Sequence, residues 1–211
     1  MRTWGSPSES SVVFLTGVYE RRAEVGHRLL TTLPHLLVLA PGAGNAPLID
    51  YLVAEIDRDV LGQAAVLDRV VDLLVVAALR QWLDHADTAS PRWYGAQADP
   101  LVGPVLALIH DRPDYPRSLA GLAAAVGWSR STLAKRFAQL VGETPMTYLS
   151  QWRLDLAADL IGEGGLNLDA VAARVGYGSG FALRVAFKRV KESSPAEHRA
   201  ARTAGASTIS A

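Results

Sequence analysis

The sequence predicts a mainly α-helical fold, with two helix-turn-helix units in its C-terminal half and a small α+β segment before them. Apolar residues recur at spacings of three and four over most of the chain after residue 47, which is the period of helices that bury one face. Two segments of the C-terminal half also repeat one another. Only two short runs, Val12 to Tyr19 and Leu36 to Ala40, have the composition of strands.

The composition is that of a globular protein of one or two domains. The 211 residues are 49% hydrophobic and 20% charged, which excludes disordered and collagen-like chains. There is no cysteine, so disulfides, thiolate zinc sites and thiol catalysis are excluded. The five histidines, His27 and His35 among them, form no ligand pattern, so the sequence predicts no metal and no cofactor.

Neither a membrane span nor a secretory signal is predicted. The longest apolar run of the helical middle, Leu73 to Leu79, is far shorter than the roughly 18 to 20 residues that cross a bilayer. The N-terminus has no basic segment followed by an apolar one. The sequence therefore predicts a cytoplasmic protein with no membrane partner.

The two halves of the chain carry opposite charge although the whole chain is neutral. Residues 1–100 contain 8 Arg, no Lys and 12 acidic residues, a net charge of −4. Residues 101–211 contain 13 basic and 9 acidic residues, a net charge of +4. This asymmetry favours a polyanionic partner for the C-terminal half.

The N-terminal half offers two strands and two helices. Two strands are too few for a sheet domain, so either a partner supplies more strands or they pack against the helices that follow. After a first helix that opens at Pro47 and ends near Asp57, residues 64–83 form an amphipathic helix with a wide apolar face. Such a helix either lies inside a core or forms a homodimer contact, and residues 85–100 follow it as a polar linker.

The internal repeat is the most informative feature of the sequence. SLAGLAAAVGW, from Ser118 to Trp128, superposes on NLDAVAARVGY, from Asn167 to Tyr177, at an offset of 49 residues. Each copy has a capping residue, a small Ala and then a Gly four positions later, at Gly127 and Gly176. Small residues allow two helices to cross closely, and glycine permits the left-handed turn between them. The pattern predicts two helix-turn-helix units.

The second helix of each unit has a basic face. Residues 129–137 and 179–191 contain no acidic residue, and their basic residues are Arg130, Lys135, Arg136, Arg184, Lys188, Arg189 and Lys191. Such helices fit the major groove of duplex DNA, where Arg and Lys reach guanine edges or phosphates. The competing interpretation is a pair of solvated amphipathic helices.

A long helix separates the two units. Thr144 and Pro145 open it, and its 18 residues to Gly162 span about 27 Å. Successive major grooves recur roughly every 34 Å, so one chain could read two adjacent grooves. A capping box at Ser194 and Glu197 predicts a last short helix, followed by a disordered tail over residues 203–211. The tryptophans Trp82, Trp128 and Trp152 fall on helix stripes and are expected in cores.

Several motifs occur in order over about a hundred residues. The runs GWSRSTLAKRFAQLVGETPMTYLSQWRLDLAADLI and LDAVAARVGYGSGFALRVAFKRVKESSPAEHR resemble the C-terminal DNA-binding domain of the AraC family of bacterial transcription regulators. The resemblance covers residues 99–202. It implies a tandem, homeodomain-like fold with units at 118–139 and 167–191, joined by helix 145–162. Residues 1–88 resemble a truncated cupin-like sensor and dimerisation region, so the chain looks like a truncated family member or one whose true start lies earlier.

The resemblance also implies which residues contact DNA. In the first unit, Ser131, Ala134 and Lys135 fall at base-reading positions, with Arg130 and Arg136 on phosphates; in the second, Gly180, Phe181 and Arg184 face bases. The full predicted set is Ser129, Arg130, Ser131, Thr132, Ala134, Lys135, Arg136, Ser179, Gly180, Phe181, Arg184, Lys188 and Arg189. Arg153 matches a family arginine, for which a structural ion pair is expected.

The chain departs from the family pattern at two positions. Relatives usually carry Arg where this chain has Val185, and here the Arg is one place earlier, at Arg184. Relatives usually carry Gly where this chain has Glu192. The second unit is therefore expected to bind more weakly or with a different specificity.

Two functions follow from the sequence, in order of preference. The first is a sequence-specific regulator of double-stranded DNA that positions RNA polymerase as an activator, although repression would use the same contacts. The second is an interaction module that pairs with full-length homologues through helix 64–83. An enzyme is not expected, because the DNA-repair methyltransferases that share this domain need a cysteine nucleophile. The sequence identifies no small-molecule inducer.

Overall fold

The computed structural model describes residues 33–39, 45–58, 60–85, 92–115 and 118–207, and every regular element in these ranges is helical. The mainly helical prediction is therefore confirmed for this part of the chain. The predicted strand at Val12 to Tyr19 lies outside it. Residues 36–39 are irregular rather than extended in a sheet, and within the described ranges no strand is available to pair with them. The β content of the N-terminal half is thus not confirmed.

The described residues fall into two compact units, one formed by residues 39–81 and the other by residues 82 onward with 33–38. The first unit contains α1 (Ala46–Ile56) and most of α2 (Gln63–His85). Pro47 lies in the first turn of α1, as predicted, because a missing N–H is harmless there. Leu52 and Val70 are buried, whereas Leu73 and Val76 of α2 are exposed. None of the helices in the described ranges is long and apolar enough to cross a membrane.

The second unit contains the remaining helices. They are α3 (Arg92–Gly95), a 3-10 turn (Ala96–Ala98), α4 (Val102–Asp111), α5 (Leu119–Ala125), α6 (Arg130–Val141), α7 (Pro145–Glu163), α8 (Leu168–Val175), α9 (Gly180–Lys191) and α10 (Pro195–Ser207). The helix boundaries follow the predicted caps. Side-chain oxygens of Ser118, Thr144 and Asn167 each accept a hydrogen bond from the backbone N–H three residues later.

Two hydrophobic cores lie along α7. The first core packs α4, α5 and α6 against the N-terminal half of α7, with Phe137, Tyr148 and Leu149 fully buried. The second packs α8 and α9 against the C-terminal half of α7, around Leu154 and Phe187. Because α7 contributes to both cores, it is the rigid element that connects the two helix-turn-helix units.

Two predicted boundaries differ from the structure. The linker predicted at 85–100 contains α3 and the 3-10 turn, and Ala96 is buried in the first core because the turn packs against α4. The predicted disordered tail is helical as far as Ser207. Within this helix, the Thr203 hydroxyl donates a hydrogen bond to the carbonyl oxygen of Arg199. Residues 208–211 lie outside the described part of the chain.

The predicted capping box forms. The Ser194 amide donates to Oε2 of Glu197 over 2.7 Å, and the Glu197 amide donates to Oγ of Ser194 over 3.2 Å. Hydrogen bonds to the Glu197 carboxylate, first from the Ser194 amide and then from the Ser194 side chain, lower the pKa of Glu197 below its usual value. The reciprocal pair fixes the start of α10 against the end of α9.

Candidate nucleic-acid interface

The first helix-turn-helix unit turns at Gly127. This residue has φ +70°, and the Trp128 amide donates to the carbonyl oxygen of Ala123 over 3.0 Å, which closes the end of α5. Trp128 itself is 51% exposed, so the expectation that it lies in the core is wrong. It stands in the turn and not on a helix stripe, whereas Trp152 is half-buried against the first core as expected.

The second unit turns in the same way at Gly176, with φ +82° and a hydrogen bond of 2.8 Å from the Tyr177 amide to the carbonyl oxygen of Ala172. Its surroundings are more crowded. A Cβ at Gly176 would lie 2.7 Å from Nη2 of Arg153 and 2.7 Å from the carbonyl oxygen of Pro113. A Cβ at Gly127 would meet nothing within 4 Å.

Arg153 explains that crowding. From α7 it donates through Nε to the carbonyl oxygen of Pro113 (2.7 Å) and through Nη2 to that of Tyr115 (3.0 Å). The loop after α4 is thereby held against the turn of the second unit. Arg153 thus has a structural role, to which its hydrogen bonds to the backbone of this loop contribute.

Helix α6 has one buried and one polar face. Leu133 and Phe137 are fully buried in the first core, while Arg130, Ser131 and Lys135 are exposed. Ser129 begins the helix, and its Oγ accepts from the Thr132 amide (3.1 Å) and contacts Oγ of Ser131 (3.0 Å). The hydroxyls at the N-terminus of α6 therefore form one hydrogen-bonded group on the exposed side.

Arg136 is held by an acidic residue that precedes α4. Its Nη2 lies 2.7 Å from Oδ2 of Asp99, whose other oxygen accepts from the amides of Leu101 and Val102. Burial alone would raise the pKa of Asp99, but the hydrogen bonds from Val102, Arg136 and Leu101 together lower it. Arg136 is still half exposed, so a phosphate would compete with Asp99 for its guanidinium.

Helix α9 is built on the same plan with different chemistry. Leu183 and Phe187 are fully buried, and Ser179 caps the helix by accepting from the Ala182 amide over 3.2 Å. Its exposed residues include Phe181, Arg184, Val185, Lys188 and Arg189. Phe181 and Val185 are 74% and 55% exposed, so two large apolar side chains of this helix face solvent.

Gly180 lies on the buried side of α9, with Leu183 and Phe187. It is buried, and its amide donates to Oδ1 of Asp169 over 2.7 Å. A Cβ at this position would come within 2.8 Å of the same oxygen. This geometry gives Gly180 a packing role between α8 and α9, and a DNA contact from Gly180 stays a prediction.

The structure therefore divides the predicted set into three groups. The exposed members are Ser129, Arg130, Ser131, Thr132, Lys135, Arg136, Ser179, Phe181, Arg184, Lys188 and Arg189; Ala134 is half-buried, and Gly180 is buried. Three further features were not predicted from the sequence: the exposure of Trp128, the exposure of Val185 beside Phe181, and the ion pair between Arg136 and Asp99. An acidic residue three positions before the first residue of a helix was the available signal for Asp99.

Comparison with protein families divides the chain near the boundary between its two compact units. A helix-turn-helix domain model matches residues 122–201, and a cupin model matches residues 1–84. The match to the cupin model supports the resemblance of the N-terminal region that was drawn from the sequence.

Similar proteins are transcription regulators. A regulator of Streptomyces antibioticus described as AraC-like is 34% identical over 192 residues, which is 89% of this chain and 63% of that protein. The regulator AlkR of Acinetobacter baylyi is 36% identical over 150 residues, 71% of this chain and 49% of its own. This chain thus spans about three fifths or less of the length of these two relatives.

A solved structure is similar to about half of the chain. The DNA-binding domain of AdpA, crystallised with a target DNA, is 36% identical, covers 51% of this chain and 96% of its own, and superposes with a TM-score of 0.48. The two family models and the relatives above place the chain in a known group: it belongs to the AraC family of transcription regulators.

Proposed function

We propose that this protein is a sequence-specific regulator of transcription that binds double-stranded DNA by inserting α6 and α9 into adjacent major grooves. The observation that carries the proposal is the pair of serine-capped helices, each with a buried apolar face and an exposed, acid-free, basic face. Both helices follow a tight glycine turn, which is the arrangement of a recognition helix. We call α6 and α9 the first and second recognition helices.

The residues of the proposed contacts are those that the sequence predicted. Lys135 and Ser131 read bases from the first recognition helix, and Arg184 and Phe181 from the second. Arg130, Lys188 and Arg189 neutralise phosphates, since they are exposed and positively charged. The shared helix α7, about 28 Å long over 19 residues, sets the distance between the two recognition helices.

Selection of bound sequences from a random pool of duplex DNA tests this function. Enrichment of a bipartite site, with two elements about one helical turn apart, is the expected result. The selection is repeated with a chain that begins at Arg92, because Trp93 and Ala96 belong to the first core. Failure of both chains to enrich any sequence would refute the proposal.

The proposed consequence of binding is activation, with RNA polymerase positioned beside the regulator. Reporter transcription from a promoter that carries the selected site should rise with the wild-type chain. A fall would instead indicate repression by occlusion through the same contacts.

A second candidate function is supported by the exposed apolar residues of α2. Leu73 and Val76 are 56% and 46% exposed, which favours a helix that meets a second protein chain. In this case the protein pairs with itself or with full-length homologues through residues 64–83. Sedimentation should then give a mass that rises with concentration, whereas a strict monomer would remove this candidate.

A further inference from the structure

The second recognition helix carries an apolar pair in the middle of its exposed, basic side. Phe181 and Val185 are four residues apart, so they lie one turn apart on the same face of α9. Around the helix axis, Arg184 and Lys188 lie on one side of the pair and Arg189 lies on the other. The face is therefore apolar along its centre and positively charged beside it.

These side chains have no role in the fold of the unit. The second core uses Leu183 and Phe187 from the other side of α9, while Phe181 is 74% exposed and Val185 is 55% exposed. Exposing two large apolar side chains to water is unfavourable. Their position next to Arg184 and Lys188 indicates a partner that is apolar and anionic at once.

Duplex DNA offers that combination at one place. In the major groove, the C5-methyl group of thymine is the apolar feature of the base edges, and the phosphates that border the groove are anionic. The N-terminal residues of a recognition helix are those that reach base edges. Phe181 is the second residue of α9 and Val185 lies one turn further along, so both occupy the reading end of the helix.

We propose that Phe181 and Val185 recognise thymine methyl groups, so that the second recognition helix selects T-containing half-sites by apolar contact. The inference rests on the proposed DNA-binding function and assigns its specificity. Arg184 and Lys188 contact the neighbouring phosphates or bases and hold the apolar pair in the groove. The first recognition helix lacks such a pair, because Ser131 and Lys135 stand at the equivalent positions.

Replacement of thymine by deoxyuridine provides the test. Deoxyuridine keeps every hydrogen bond of the base pair and removes only the methyl group. In the duplex selected by the full chain, each thymine of the half-site read by α9 is replaced in turn. At one or two positions, the wild-type protein should bind the deoxyuridine duplex about fourfold more weakly. Phe181→Ala and Val185→Ala should bind the two duplexes nearly equally.

Val190→Ala is the matched control. Val190 is an exposed valine of the same helix, 42% exposed, but it lies five residues beyond Val185 and points about 140° away around the helix axis. This variant should keep the full discrimination between thymine and deoxyuridine. Because Phe181 and Val185 lie outside the core, their variants should fold, and the helical circular dichroism signal should match that of the wild type.

The outcomes separate this inference from the function on which it rests. If neither the full chain nor the chain that begins at Arg92 enriches a duplex, both fail. If it binds a selected duplex and deoxyuridine changes nothing at any position, the inference is overturned and the DNA-binding function stands. Unchanged affinity of Phe181→Ala and Val185→Ala for that duplex would also overturn it, and would indicate that the apolar pair contacts another protein.

Discussion

The two helix-turn-helix units share one backbone plan and differ in what they expose and in what holds them. From residue 129 to residue 145 of the first unit, equivalent positions of the second lie fifty residues later, so Phe137 corresponds to Phe187 and Pro145 to Pro195. The buried positions are apolar in both units. The exposed positions differ: Lys135 corresponds to Val185, and Arg136 to Ala186. The duplication fixed the packing and left the exposed surfaces free to diverge.

The units are also stabilised by different contacts. The first unit ties its recognition helix to the start of α4 through Arg136 and Asp99. The second has alanine at that position, and its turn is packed instead against the loop that Arg153 holds. Changes at equivalent positions of the two units should therefore have unequal effects on stability and on DNA binding.

The largest difference is expected at the turn glycines. Gly176→Ala requires a left-handed alanine, which costs about 1 to 2 kcal/mol, and it also forces a Cβ against Arg153 and the Pro113 carbonyl oxygen, for about 1 to 3 kcal/mol more. Gly127→Ala meets open space and should cost only the first amount. Urea denaturation of both variants measures the two free energies of unfolding. Equal values would contradict the crowding described for the second unit.

Lys135 and Arg184 are proposed to read base edges, one from each unit. Lys135→Ala and Arg184→Ala should therefore each weaken binding to the selected site by about 1 to 3 kcal/mol and leave binding to random DNA nearly unchanged. A contact to phosphate alone would instead make the variant bind all sequences more weakly alike and would lower the salt slope by about 1. Titrations of both variants at several salt concentrations separate the two kinds of contact. Uniform weakening by Arg184→Ala would contradict its base-reading role.

The ion pair between Asp99 and Arg136 in the first unit should make the stability of the protein depend on pH in the acid range. Because the folded protein lowers the pKa of Asp99, its contribution to stability is complete above the usual value of 3.8 and is lost as the pH falls through the folded value. Asp99→Ala should cost about 1 kcal/mol at pH 7, since it removes the acceptor for two amides at the start of α4.

Asp99→Asn serves as the control for the charge, because asparagine is also a good cap. It should be less destabilising than Asp99→Ala at pH 7 and should lose less stability than the wild type below about pH 4, where the wild-type carboxylate becomes protonated. Thermal unfolding from pH 3 to pH 7 measures both effects. If the stability of the wild type and of Asp99→Asn fell identically with pH, the charge of Asp99 would not contribute to the pH dependence.

The smallest predicted effect is a gain of stability in the second unit. Glu192 ends α9 with φ +57°, and it is the one residue other than glycine with positive φ in the described part of the chain. The equivalent residue of the first unit is Gly142, with φ +95°. Glu192→Gly should relieve the strain and stabilise the protein by about 1 kcal/mol. Gly142→Ala should destabilise it by a similar amount, and a loss of stability in Glu192→Gly would contradict this view.

The sequence by itself determined the helices, their caps and the duplicated turns of this protein, because each depends on residues three or four apart along the chain. Ser118, Thr144, Asn167 and Ser194 all cap where the pattern placed them. The tertiary structure alone decided which polar residues pair and which surfaces stay open. Arg136 meets Asp99 across 37 positions and Arg153 meets Pro113 across 40, whereas Gly180 is buried by a helix that no local pattern could place against it. Contacts of this kind are set by how helices pack, and packing is a property of the whole unit.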